Sequence, residues 1–93
     1  MYIKIKPNTV YVGDTVTFLY ELVDEPVFAA ATYDVAILNP DMTIAIAGRP
    51  TAVFTAVETG TLKTGVYYLR VRVTDGGAVY TARPEQFTVQ DVA

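Results

Sequence analysis

The stretch Val66-Tyr67-Tyr68-Leu69-Arg70-Val71-Arg72-Val73-Thr74 decides the fold. Successive side chains of a strand point to opposite faces. Tyr67, Leu69, Val71 and Val73 therefore share one side, and Tyr68, Arg70 and Arg72 share the other. The first set reads as core and the second as an outer face. Asp75-Gly76-Gly77 follows directly. Glycines supply the positive φ that tight hairpins need, so an antiparallel partner is expected to begin at Ala78.

Working outward, the same period of two recurs between turn residues. Ile3 and Ile5 alternate with Lys4 and Lys6 before Pro7-Asn8 breaks the strand, and Val10 and Val12 resume it. After Gly13-Asp14, residues 15–23 place Val16, Phe18, Tyr20 and Leu22 on one face. Asp24-Glu25-Pro26 ends that strand and opens the loop Val27-Phe28-Ala29-Ala30-Ala31. A third strand carries Tyr33, Val35 and Ile37 on one face. Asn39-Pro40-Asp41-Met42 suits a turn. A short strand with Ile44 and Ile46 stops at Gly48-Arg49-Pro50, since proline cannot donate to a ladder. Residues 52–57 form a fifth strand and residues 58–65 a Thr- and Gly-rich connection. The last strand begins at Ala78, bends at Pro84 and finishes with Phe87 and Val89. No helix of useful length is expected.

The expectation is thus an all-β sandwich of about seven antiparallel strands in two sheets, one domain spanning residues 1–93. The 93 residues and 52% hydrophobic content support a folded core. The chain has no Cys, His, Ser or Trp. Without cysteine, stability must come from packing and backbone ladders.

Two segments carry a resemblance. Gly13-Asp14-Thr15-Val16-Thr17-Phe18 resembles the "GDxVxF" opening of the second strand in bacterial and phage immunoglobulin-like modules. Thr64-Gly65-Val66-Tyr67-Tyr68-Leu69 is similar to the "GxYxC" segment of immunoglobulin domains, with Leu69 in place of the second Cys. The resemblance implies an immunoglobulin-like or fibronectin type III-like sandwich, in which Tyr67 forms either a tyrosine corner or plain core. The missing disulfide and core Trp point away from antibody-type domains. The layout also resembles small sandwich proteins of tailed-phage virions, which implies a structural role.

The residue inventory limits the chemistry. Nucleophilic catalysis by Ser or Cys has no residue to carry it, and His acid–base work has none either. A non-enzyme is expected, without cofactor. Zinc and copper lack their usual ligands. Calcium rests on Asp24, Glu25 and Asp75 meeting at one end, short of the six to eight oxygens it takes, so no metal site is assigned. The formal net charge is −3 and the seven Lys and Arg form no run, so nucleic acid is not an expected partner. No stretch is long enough to span a membrane, and Met-Tyr-Ile-Lys-Ile-Lys-Pro does not read as a signal peptide. No small-molecule ligand is expected.

What remains is binding or assembly. The candidate surface comprises Val27 and Phe28 in the apolar loop, Arg49 on its turn, and the Tyr68, Arg70 and Arg72 face. Tyr and Arg are enriched where interfaces concentrate their energy. The expected partners are proteins: capsid or tail proteins, or other copies of the chain. The expected role is a virion protein (capsid decoration, connector or tail component) assembled in the host cytoplasm. The alternative is a ligand- or carbohydrate-binding module of a longer bacterial surface or secreted chain, with Tyr68 and Tyr80 as an aromatic platform.

Overall fold

A computed structural model of the chain describes residues 1–91. Its described elements are β1 (Tyr2–Lys6), β2 (Thr9–Tyr11), β3 (Val16–Thr17), β4 (Leu19–Val23), β5 (Ala31–Leu38), β6 (Ile44–Arg49), β7 (Val53–Phe54), α1 (Ala56–Thr59), β8 (Gly65–Asp75), β9 (Ala78–Thr81) and β10 (Glu85–Gln90). The larger layer runs β2-β10-β8-β5-β6, with β9 also pairing β8. The facing layer consists of β1 against β4 and β3 against β7. The fold is all-β and sandwich-like.

Where seven strands were expected, some divide in two. Pro7 has no N–H to give a ladder, and the chain changes layers there. Before it, β1 pairs antiparallel with β4; after it, β2 pairs parallel with β10. The named strand pairs are antiparallel, as expected, except for this one. Residues 15–23 break at Phe18, whose N–H donates to the Ala52 carbonyl at 2.9 Å. The final strand divides about Pro84: β9 covers the second half of β8 and β10 the first.

Residues 52–57 are corrected more sharply. Only Val53–Phe54 is strand, and α1 follows. Thr55 caps it: its hydroxyl accepts from the Glu58 N–H, and the Glu58 carboxylate accepts from the Thr55 N–H. That reciprocal pair satisfies amide donors a short helix otherwise leaves orphaned. Thr59 is fully buried, and its hydroxyl donates to the Asp14 carbonyl at 2.7 Å, tying the helix to the turn before β3.

The core lies between the layers. Tyr67, Leu69, Val71 and Val73 are buried in it, as the alternation along β8 predicts. From the other layer come Ile3, Ile5, Val16, Phe18 and Phe54. Four rings run through its centre. Phe18 meets Phe54 edge-on at 6.0 Å and Phe87 at 4.9 Å, and Tyr67 stacks on Phe87 at 6.1 Å. Such pairs add about 0.5–1.5 kcal/mol each beyond area burial. The Tyr67 hydroxyl donates to the Lys63 carbonyl four residues upstream at 2.9 Å, so Tyr67 is a corner and not only core.

The hairpin after β8 turns through Gly76 at φ 58° and Gly77 at φ 88°. Both central residues are left-handed, which only glycine adopts without strain. Tyr33 shares the face of Val35 and Ile37 and stands opposite buried Val73, yet it stays 38% exposed.

Replacing Tyr67 by Phe removes the corner hydrogen bond while keeping the ring. Urea unfolding should show a stability loss of about 1 kcal/mol with an unchanged m-value. Leu69→Ala should cost about 2–5 kcal/mol, because it opens a cavity at a fully buried site.

Candidate interaction surface

The outer face of the larger layer is built by register. Tyr68, Arg70 and Arg72 on β8 stand opposite Leu38, Ala36 and Asp34 on β5. On the far side of Leu38 lies Ile44 of β6, which is 57% exposed. Ala36 and Leu38 are buried yet stand apart from the main core cluster. They form a small second apolar layer beneath this face.

Arg70 reaches diagonally past Ala36 to Asp34, with Nη2 to Oδ2 at 3.0 Å. Its side chain is only 13% exposed, and its Nε is buried without a hydrogen-bond partner. Gly48 makes room for this pair, since a Cβ there would overlap the Asp34 carboxylate. Arg72 is exposed, and its Nε donates to the Thr81 hydroxyl at 3.4 Å. The face thus joins Tyr68, Leu38 and Ile44 to two cations and one anion. That is a net positive patch on a chain of net charge −3.

The apolar loop lies elsewhere. Val27 is 99% exposed, whereas Phe28 is half-buried and packs on Tyr80 with centroids 5.6 Å apart. The Ala29 and Ala30 N–H groups donate to the two carboxylate oxygens of Asp75 at 3.2 and 3.0 Å. This anchors the loop beside the β8–β9 hairpin, seven residues along β8 from Tyr68, or about 23 Å. Val27 and Phe28 are therefore not part of the Tyr68 patch. Asp75, considered for calcium, serves backbone amides instead. Among the described residues no three acidic side chains gather as a metal site.

Arg49, a candidate surface residue on its turn, is held by groups of its own chain. It ends β6, and its guanidinium lies over the Phe54 ring at 4.5 Å. Nη1 and Nη2 pair with the two Glu58 carboxylate oxygens, each at 2.5 Å. Further bonds reach the Val53 and Ala47 carbonyls. The Thr55-x-x-Glu58 capping signature was the one sequence signal pointing here.

Tyr68 and Tyr80 do not form a shared platform. Tyr68 belongs to the outer face, while Tyr80 stands opposite inward-facing Val73. No family model, curated protein or solved structure shows a significant match to this chain.

The Arg49–Glu58 pair gives a pH prediction. Hydrogen bonding from Arg49, then from the Thr55 N–H, lowers the Glu58 pKa from its ordinary value of 4.5 to about 2. A carboxyl depressed on folding stabilises fully above its unfolded pKa and stops doing so as pH falls through the folded one. Glu58→Gln should therefore lower the melting temperature most above pH 4.5. The gap to the parent protein should narrow toward pH 2, read by thermal melts across this range.

Proposed function

We propose that this chain is a non-catalytic interaction module of the immunoglobulin-like type, acting as a small virion protein in a capsid decoration, connector or tail role. The single observation that carries the interaction reading is the outer face of β5, β6 and β8. Leu38 and Ala36 lie buried there opposite Tyr68 and Arg70, with Arg72 on the same face and Ile44 open beside Leu38. Aromatic and arginine side chains over an apolar base are the composition of an interface centre. The positive charge of the patch favours a partner with an acidic surface.

Support for the immunoglobulin-like type comes from the Tyr67 corner and from the first strand. That strand divides at Pro7 between the two layers, its second half running parallel to β10. The resemblance of Gly13–Phe18 and Thr64–Leu69 to bacterial and phage modules supports the virion role and assembly in a host cytoplasm. The separation of Tyr68 from Tyr80 removes the aromatic platform that a carbohydrate-binding reading relied on.

The gene should lie among genes for capsid or tail proteins, and the product should co-purify with one of them when the two are expressed together. Tyr68→Ala and Arg72→Glu should each weaken that association by tenfold or more, about 1.4 kcal/mol. Their melting temperatures should stay within about 3 °C of the parent, because both sites lie outside the main core. A gene remote from any such cluster, with undiminished binding in both variants, overturns the reading.

A further inference from the structure

We infer that the chain associates head-to-tail with copies of itself, the acidic loop tip of one copy seating in a basic depression on the β1–β4 face of the next. The inference rests on the interaction reading above and names a partner for a different surface.

The depression is open, holds about 270 Å³ and is lined by Lys4, Ile5, Lys6, Leu19, Tyr20 and Glu21. Its volume is below that of most small-molecule sites, and it suits the tip of a loop. Lys4 stands opposite Glu21 and Lys6 opposite Leu19 on the outward side of the pair, while Ile3 and Ile5 point into the core. Leu19 is 70% exposed, a large apolar side chain between two lysines and one glutamate.

The loop after β4 has the opposite character. Asp24 and Glu25 precede Pro26 and Val27, and all four are exposed. Val27 is 99% exposed. Asp24 sits at φ 56°, which turns the chain sharply out of β4. Among the described residues, Lys4, Lys6, Asp24 and Glu25 make no salt bridge. Two cations against one anion around an exposed leucine thus face two anions beside an exposed valine.

The loop leads away from the depression of its own chain. Leu19 and Val23 are the two ends of β4, about 13 Å apart. Beyond Val23 the loop is drawn toward the larger layer by the Asp75 carboxylate and by Phe28 on Tyr80. The tip therefore engages another copy. Because the two surfaces differ, the contact is heterologous, and each copy keeps one free half for the next. A loop tip in an open depression buries less than a standard interface, so association is weak and needs high concentration and low salt.

The test uses sedimentation equilibrium of the full chain at low ionic strength, up to about 1 mM, where weak contacts populate. The parent chain should show an average mass that rises steadily with concentration and falls back when salt is added. Val27→Asp and Leu19→Asp, both at exposed positions and checked for folding by circular dichroism, should each be monomeric alone. Mixed in equal amounts, they should form a one-to-one dimer and nothing larger, because each retains the half the other lacks. A monomeric parent at the highest concentration overturns the inference, as does association that survives both substitutions. Either failure leaves the outer face to its own test, since Tyr68 and Arg72 belong to the other layer. Association lost in Tyr68→Ala and kept in Val27→Asp would assign self-contact to that face instead and also overturn this one.

Discussion

The contact between Phe18 and Phe87 holds the two layers together. Phe18 sits at the break between β3 and β4, and Phe87 comes from β10 in the facing layer. Phe54 extends the run on one side and Tyr67 on the other. Without cysteine no disulfide ties the sheets together, so this ring packing, with the aliphatic residues around it, supplies the cohesion. Each end of the run is tied to the backbone nearby. Tyr67 fixes the connection before β8 through the Lys63 carbonyl, and Phe54 carries the Arg49 guanidinium that holds the capped helix through Glu58.

The sequence was most readable where one face is core and the other is not. Along β8 the alternation is clean, and its buried residues are those expected. Along β5 it is not, because residues 35–38 are all buried. Val35 and Ile37 belong to the core, but Ala36 and Leu38 are buried by their surroundings on the outer face. Tyr33 lies on the same face as Val35 and Ile37, opposite buried Val73, yet is 38% exposed. Residues 52–57 read as strand because Val53, Phe54 and Val57 are apolar. The structure turns after Phe54, leaving Val57 81% exposed, because the Thr55 and Glu58 cap competes successfully for the backbone.

Of the candidate surface, Tyr68, Arg70 and Arg72 were legible as a unit because they share one strand. Their base of Ala36 and Leu38 was not, since it depends on which residues of β5 stand opposite. The setting of Arg49 was hidden for a similar reason. Its partner is nine residues away across a proline and a cap, and only the closed fold brings the two together. The layer change at Pro7 was also hidden: a proline marks a break in pairing but does not say which sheet the next strand joins.

The grip of Asp75 on the Ala29 and Ala30 amides has a consequence for recognition. A free loop of this length samples many shapes and must surrender that freedom when it docks. Here one carboxylate fixes two successive peptide groups, and Phe28 is already seated on Tyr80. For residues 28–30 that ordering cost is met as the chain folds. One flank of the loop is thus already placed, and a partner that contacts this flank forfeits little further entropy.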